Sequence, residues 1–182
     1  MLTFIFFDTN ADLIKEYKKI IKSKKINILF VIKDINSLLV NRFDAIISPG
    51  NSLCNMNGGI DKVYKKIFPG IEQSLIKLCN SLQLAKSGIG YYIPVGRNIK
   101  VPVDHKSCKY IIYAPTMFTP KDINDTNNIY IAFYGILENY YAENIIIVCP
   151  GLGTGIGGMS PFESATQIMS AIDDYCYNNP IK

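Results

Sequence analysis

Short, almost continuously apolar runs alternate along the chain with amphipathic helical patterns. Runs such as INILFVI, DAIIS and NIIIVCP are typical of strands that are buried on both sides. The stretch from Asn10 to Ser23 puts apolar side chains on one helical face, with Asn10 as its N-cap. This alternation predicts an α/β fold, in which a mixed, mainly parallel central sheet lies between helices as a three-layer α-β-α sandwich. A chain of 182 residues without a linker or a repeat is expected to form one domain over residues 1–182.

The other elements follow from the same patterns. Strands are expected at residues 2–7, 89–95 and 109–115, and helices at residues 60–68, 71–84 and 127–141. The last helix begins at Pro161, because Ser160 supplies an N-cap, proline suits the first helical position and Glu163 completes a capping box. The segment VPVDHKSC holds the sole histidine, His105. It is interpreted as a polar connector without a functional role.

Composition narrows the classes of partner and compartment. The formal charge of +4 comes largely from lysines between Lys15 and Lys25, which are expected on the exposed face of a helix, so nucleic acid is an unlikely partner. The five cysteines are odd in number and lie mostly in apolar runs. We therefore expect neither a disulfide framework nor a zinc site, and an intracellular, cytoplasmic compartment. No run approaches the ~18 consecutive apolar residues of a membrane span, so no membrane association is expected.

Two glycine-rich loops carry the strongest functional signal. PGNSLCNMNGGID follows the DAIIS strand, and GLGTGIGGMS lies between NIIIVCP and the last helix. Glycines let backbone N–H groups approach a ligand closely, and a helix N-terminus adds about half a positive charge, so the second loop suits a phosphate. Because ligands of open α/β sheets bind at the carboxyl ends of strands, both loops are expected to face one crevice and bind a diphosphate. Tight turns without a ligand are the alternative.

Two common nucleotide motifs fit the second loop poorly. The segment from Gly153 to Gly158 matches the dinucleotide-binding pattern G-x-G-x-x-G. A Rossmann unit, however, needs a further strand and an acidic residue about twenty positions later, and only one helix remains. A Walker P-loop requires lysine at the position of Met159. An NAD-linked or other nucleotide enzyme is therefore the weakest functional hypothesis.

From about Asp34 to Asp174 the chain resembles a macro domain, the module that binds ADP-ribose. KDIN is similar to the family's Gly-Asp-Ile-Thr element, and DAIISPGNSL with NGGID is similar to its Asn-Ala-Ala-Asn and Gly-Gly-Gly-Val-Asp loop. GLGTGIGGMSPFESATQIMSA is similar to the family's diphosphate loop. A microbial subgroup with SP.NS, GGID, APTM and PGLGTG.GGM motifs is closer still. The resemblance implies a macro domain fold that takes ADP-ribose or an ADP-ribosylated substrate and uses no cofactor and no metal.

The resemblance also implies roles for individual residues. Asp34 would accept a hydrogen bond from the adenine amino group, and Ile35 would offer its backbone N–H to the ring. Asn51 would hold the distal ribose and take part in catalysis. Asp61 would orient or deprotonate a water that attacks the anomeric carbon of that ribose. The other ligand-binding residues implied are Asn57, Gly58, Gly59 and Ile60 in the first loop and Gly151, Gly153, Thr154, Gly155, Ile156, Gly157, Gly158 and Met159 in the second.

Asp34, Asn51 and Asp61 also have purely structural interpretations. Asp34 can be a turn or helix-cap aspartate, and Asn51 can brace its own loop. Asp61 in the first turn of a helix can simply complement the helix dipole. Cys54 lies inside the first loop, but it has no sequence neighbour that would lower its pKa, so it is interpreted as a small buried residue.

The chain departs from the family pattern at three positions. Ser48 stands where the first asparagine of Asn-Ala-Ala-Asn is expected, Asn57 replaces a loop glycine, and Lys65 replaces a frequent histidine four residues after the aspartate. The leading hypothesis is hydrolysis at the distal ribose, which releases ADP-ribose from a modified side chain or from a small derivative such as the 1''-phosphate. Asn57 and Lys65 keep open the alternative of a non-catalytic ADP-ribose or nucleotide reader.

Overall fold

The computed structural model describes residues 1–180 of the chain. The elements in chain order are β1 (Thr3–Asp8), α1 (Ala11–Ile20), β2 (Asn27–Ile32), α2 (Ile35–Leu38), β3 (Ala45–Ser48), α3 (Gly59–Ile67), α4 (Ile71–Leu82), β4 (Ala85–Ser87), β5 (Gly90–Tyr92), β6 (Ile99–His105), β7 (Cys108–Tyr113), α5 (Asn128–Tyr140), β8 (Ile146–Pro150) and α6 (Pro161–Asn178). No helix within this range is both long and apolar enough to cross a membrane.

Six strands form one sheet in the order β2-β1-β8-β3-β7-β6. Neighbouring strands are parallel except for β6, which runs antiparallel to β7. β4 and β5 form a separate antiparallel hairpin. One apolar cluster packs α1, α5 and α6 against one face of the sheet, and a second packs α2, α3 and α4 against the other. The predicted three-layer α/β sandwich with a mixed, mainly parallel sheet is therefore confirmed.

The predicted helix starts are present in the structure. The Asn10 side chain accepts hydrogen bonds from the N–H groups of Asp12 and Leu13. Ser160 caps α6 by accepting from the N–H of Glu163 at 3.1 Å, and Pro161 occupies the first turn. The Glu163 carboxylate accepts a hydrogen bond from Gln167 one turn further on. Within residues 1–180 the Ser160 N–H does not donate to it, so only half of the predicted capping box forms. Local capping chemistry thus orients α6 directly behind the second glycine loop.

Two sequence predictions about strands were wrong. β2 was expected to be buried on both sides, yet it is an edge strand whose Leu29 and Ile32 are more than half exposed. An apolar run shows that a strand is stable but not whether it has neighbours on both sides. The supposed connector VPVDHKSC lies in the β6–β7 hairpin, where Ile99 and Val101 are buried and the alternating residues face outwards. Pro102 is tolerated there because β6 is the other edge of the sheet.

Candidate functional site

A cleft of about 990 Å³ lies at the carboxyl ends of the parallel strands. Its walls come from the segments that follow β1, β2, β3, β7 and β8. After β1 the chain moves outwards to β2, and it then returns to the opposite side of β1 for β3, with β8 inserted between them. Such a reversal leaves a crevice between diverging connections, which is where open α/β sheets bind ligands.

Most of the residues implied by the resemblance meet in this cleft. Those that line it are Asp34, Ile35, Asn51, Asn57, Gly58, Gly59, Ile60, Asp61, Gly151, Gly153, Thr154, Gly155, Ile156 and Gly157. Gly158 and Met159 lie outside the lining. The Met159 side chain is 2% exposed in the apolar core, and the Gly158 N–H closes a turn onto Gly155. They therefore support the fold of the second loop, and their predicted direct contact with a ligand stays a prediction.

The first loop directs the start of α3 into the cleft. Gly58 is the N-cap residue and provides no side-chain cap, while Gly59 has a φ of +51° that favours glycine. The first N–H groups of a helix have no acceptor inside the helix. The N-terminus of α3 therefore presents uncapped donors and a partial positive charge to whatever occupies the cleft.

Asn51 fixes the path of the first loop. Its side-chain oxygen accepts from the N–H of Leu53 at 3.1 Å, and its amide nitrogen donates to the carbonyl of Asn55 at 2.7 Å. The Tyr113 hydroxyl accepts from the Asn51 N–H and donates to the Asn51 carbonyl. The bracing interpretation of Asn51 therefore describes what its side chain does here. Within residues 1–180 one of the two amide N–H donors has no partner, so one remains for a ligand.

A second set of contacts holds the tip of the first loop. The Lys65 ammonium donates to the Asn57 side-chain oxygen at 2.7 Å and to Glu72 at 2.6 Å. Glu72 in turn accepts from the Met56 N–H at 2.8 Å. Burial acts to raise the pKa of Glu72, but the hydrogen bonds from Lys65 and Met56 outweigh it and hold that pKa below its ordinary value. The residue that replaces the family's histidine is thus an anchor for the loop.

Asp61 is a buried carboxylate in the floor of the cleft. It lies in the first turn of α3, is only 5% exposed and accepts a hydrogen bond from the Ser48 hydroxyl at 2.6 Å. Burial raises the pKa of Asp61 to about 6, the Ser48 hydrogen bond opposes that rise, and the charge of Glu72 adds to it. A carboxyl that titrates this close to neutral pH can accept a proton during a reaction.

The second loop forms a cradle of backbone donors. Gly153 and Gly158 have φ values of +70° and +65°, which reverse the chain twice within six residues. The N–H groups of Thr154, Gly155 and Ile156 donate to no atom of residues 1–180. A Cβ on Gly155 would meet nothing within 4 Å, so this part of the loop faces open space. Unpaired donors next to a helix N-terminus suit an anionic group such as a diphosphate.

Asp34 borders the end of the cleft that is farthest from the first loop, and it caps the short helix α2. Its carboxylate accepts from both the hydroxyl and the N–H of Ser37, at 2.8 and 3.1 Å. These hydrogen bonds, the one from the Ser37 hydroxyl first, lower the pKa of Asp34. The helix-cap interpretation of Asp34 is therefore seen directly, and its predicted contact with adenine stays a prediction.

Several cleft residues were not predicted from the sequence to be site residues. They are Phe7, Asp8, Thr9, Asn10, Leu13, Lys33, Asn36, Pro49, Gly50, Asn55, Val63, Thr116, Met117, Pro120, Pro150 and Pro161. The rule that ligands bind at the carboxyl ends of strands could have found Asp8, because β1 ends there.

Two further residues stand outside the cleft. The side chain of Cys54, within the first loop, is buried, and burial raises the pKa of its thiol, as expected of a structural cysteine. His105 ends β6, where it accepts from the Ser107 N–H. Residues 1–180 contain no group of three or more His, Cys, Asp or Glu side chains placed to hold a metal ion.

Comparison with known proteins identifies the fold. The pattern of the Macro domain family matches residues 47–169. The chain belongs to the macro domain family. An uncharacterized protein of Aquifex aeolicus is 30% identical over 128 residues, which are 69% of this chain and 70% of that protein.

Solved macro domains share this architecture. The macrodomain of Mycobacterium tuberculosis DarG superposes with a TM-score of 0.60 at 21% identity, over 75% of this chain and 86% of that one. Thermosipho africanus DarTG, solved in complex with ADP-ribose, superposes with a TM-score of 0.56 at 16% identity, over 96% of this chain and 50% of that one. At these identities the likeness shows the fold. The resemblance read from the sequence is thus confirmed at the level of family and fold.

Proposed function

We propose that this macro domain binds ADP-ribose in the cleft and hydrolyses a bond at the distal ribose. The observation that carries the proposal is the convergence of Asp61, the uncapped start of α3 and the backbone cradle of the second loop in one cleft. The ADP-ribose complex of Thermosipho africanus DarTG, which has the same fold, supports the choice of ligand.

The order of the strands supports one orientation of the ligand. The sheet order β2-β1-β8-β3 places Asp34, the second loop and the first loop in sequence along the cleft. With neighbouring strands about 4.8 Å apart, β2 and β3 are separated by about 14 Å. In this orientation adenine lies near Asp34 and Ile35, the diphosphate lies on the second loop, and the distal ribose lies over Asn51 and Asp61.

Asp61 then acts as the general base. At neutral pH a carboxyl with a pKa of about 6 is mostly ionised and can still take up a proton. Water attacks the anomeric carbon, its proton passes to Asp61, and the bonding electrons leave with the departing oxygen, which is protonated from solvent. Backbone donors hold the diphosphate remote from the bond that breaks, so its binding energy supplies orientation.

A non-catalytic reader is the second candidate. It is favoured by the burial of Asp61, one of whose oxygens is already occupied by the Ser48 hydroxyl. A carboxylate held in this way can stabilise the start of α3 without taking part in a reaction. The reader would bind ADP-ribose as tightly as the hydrolase and release nothing.

Calorimetry and a release assay separate these possibilities. We expect ADP-ribose to bind more tightly than AMP or NAD in the same buffer, and the chain to release ADP-ribose from a mono-ADP-ribosylated protein or from the 1''-phosphate. Asp61→Asn should lower turnover at least about 100-fold, while the affinity for ADP-ribose changes much less. Asp12→Asn, which removes an equal charge from the 87% exposed Asp12 side chain, is the control. Undiminished turnover in Asp61→Asn would refute the catalytic role, and failure to bind ADP-ribose would refute the proposed function.

A further inference from the structure

The carboxylate of Asp8 lies in the cleft beside the anion cradle, where a negative charge needs an explanation. Asp8 is the last residue of β1, lines the cleft and is half-buried. A carboxylate close to a bound diphosphate would repel it. Such a residue weakens ligand binding unless it makes a favourable contact with an uncharged part of the same ligand.

The sheet order fixes where along the cleft Asp8 lies. β1 is flanked by β2, which leads to Asp34, and by β8, which leads to the second loop. Asp8 pairs in register with Ile32, two residues before Asp34. The Lys33 N–H donates to the backbone carbonyl of Asp8 at 3.1 Å. In the proposed orientation, Asp8 therefore stands between the adenine end and the diphosphate, which is the position of the adenosine ribose.

The two oxygens of the Asp8 carboxylate have different surroundings. Oδ1 accepts a hydrogen bond from the Asn10 N–H at 2.8 Å and so closes the turn from β1 into α1. Oδ2 lies 3.1 Å from the position that a Cβ on Gly151 would occupy, next to the second loop. Within residues 1–180 no group donates a hydrogen bond to Oδ2. One oxygen thus serves the turn and the other is available to a ligand.

We infer that Asp8 accepts hydrogen bonds from the hydroxyl groups of the adenosine ribose and so selects nucleotides in which these hydroxyls are not phosphorylated. The inference rests on the proposed binding of ADP-ribose. An ionised carboxylate has only acceptors, so it matches hydroxyl donors. The same chemistry lets an acidic residue recognise the ribose hydroxyl in dinucleotide-binding folds. A phosphate in place of the 2'-hydroxyl removes the donor and adds a like charge.

Lys33 provides a competing expectation. It is exposed and also lines the cleft, one strand away from Asp8. If its ammonium controlled this part of the cleft, a 2'-phosphate would bind more tightly than a hydroxyl. Control by Asp8 therefore predicts tighter binding of the ligand with a 2'-hydroxyl, whereas control by Lys33 predicts tighter binding of the ligand with a 2'-phosphate.

Calorimetric titrations with ADP-ribose and with 2'-phospho-ADP-ribose test the inference. We expect the wild-type chain to prefer ADP-ribose at least roughly ten-fold, since a hydrogen bond to a charged group is lost and like charges are brought together. Asp8→Asn keeps an oxygen acceptor for the Asn10 N–H, so the turn remains. It should reduce the preference to roughly two-fold or less and weaken ADP-ribose binding roughly ten-fold. Asp12→Asn, at the exposed start of α1, should leave the preference unchanged.

Each result gives a distinct answer. A wild-type preference that disappears in Asp8→Asn and persists in Asp12→Asn supports the inference. Equal preferences in wild type and Asp8→Asn, or tighter binding of the 2'-phosphate by the wild type, overturn the role of Asp8 and leave ADP-ribose binding intact. If the wild type binds neither ligand, the proposed function fails and the inference falls with it. A thermal melt of Asp8→Asn that matches the wild type shows that the turn and the fold are retained.

Discussion

The Ser48 hydroxyl is expected to keep Asp61 ionised at neutral pH. Ser48→Ala removes the donor that lies 2.6 Å from the Asp61 carboxylate. Ser48 is 0% exposed and Asp61 is 5% exposed, so water has little access to replace this donor. A buried hydrogen bond to a charged group contributes about 1.5–3 kcal/mol. Its loss should raise the pKa of Asp61 from about 6 to between about 7 and 8.

The change in ionisation predicts a change in turnover. At pH 7 the ionised fraction of Asp61 should fall from about nine-tenths to between about one half and one tenth. If Asp61 is the general base, turnover at pH 7 should fall by roughly two- to ten-fold. The acid limb of the pH–rate profile should move to higher pH by as much as the pKa of Asp61 rises. The two enzymes should have similar turnover at about pH 9. A loss of turnover that is equal at every pH would contradict this reasoning.

Carbon-13 NMR can measure the ionisation of Asp61 without any assay of activity. The Asp61 carboxyl signal is assigned by its absence from the Asp61→Asn spectrum and is then followed through a pH titration in wild type and Ser48→Ala. Ser107→Ala is the matched control, because it removes another buried hydroxyl, which donates to the Leu39 carbonyl. An Asp61 titration midpoint that is the same in Ser48→Ala and in wild type would refute the role of Ser48, whatever the reaction catalysed.

Four variants test the stability and accessibility of the site. Because the pKa of Asp61 is about 6 in the folded chain against an ordinary 3.8, the folded state binds a proton more tightly and loses stability as pH rises from about 4 to about 6. Asp61→Asn should therefore increase the free energy of unfolding by up to about 3 kcal/mol at pH 7 and by little at pH 4. Urea denaturation at both pH values measures this difference. An equal gain at both pH values would contradict the raised pKa of Asp61. Gly155→Ala should leave the melting temperature unchanged, since its Cβ would meet nothing within 4 Å, yet weaken ADP-ribose binding at least roughly ten-fold in calorimetry. Gly157→Ala, whose Cβ would lie 2.6 Å from a carbonyl oxygen of the same loop, should lower the melting temperature, and similar melts for both glycine variants would refute this distinction. Lys65→Met removes the contacts to Asn57 and Glu72 and should speed amide hydrogen exchange at residues 55–59; unchanged exchange would show that these contacts do not hold the loop.

The sequence predicted the layers of the fold better than the places of its strands. Periodicity and capping depend on neighbouring residues, so the α6 start at Ser160 could be predicted to within a residue. The order of strands in the sheet depends on contacts between distant segments, which apolar content does not encode. INILFVI and NIIIVCP have similar composition, yet β2 is an edge strand and β8 is central. β6 was missed for a different reason. Its Lys100 and Pro102 alternate with buried residues, which is a local strand pattern, but the segment was interpreted as a polar connector.

The candidate site was predictable where chemistry is local and not where it depends on pairs. Glycine loops after strands are visible in a single segment, and both of them line the cleft. The hydrogen bond from Ser48 to Asp61 joins residues 13 positions apart. Its existence depends on how β3 and α3 pack against each other. The dual position of Asp34, which caps α2 and also borders the cleft, likewise required the structure.

The departures from the family pattern are best understood as contacts between the altered positions. Taken one at a time, Asn57 in place of glycine and Lys65 in place of histidine each weaken the case for an active hydrolase. In the structure the Lys65 ammonium binds the Asn57 side chain at 2.7 Å, so the two altered residues support one another at the tip of the first loop. Ser48 likewise contacts the carboxylate proposed to act as the base. The altered residues therefore hold the tip of the first loop and the Asp61 carboxylate in place by contacts of their own, so the departures from the family pattern do not by themselves argue against a ligand site around Asp61.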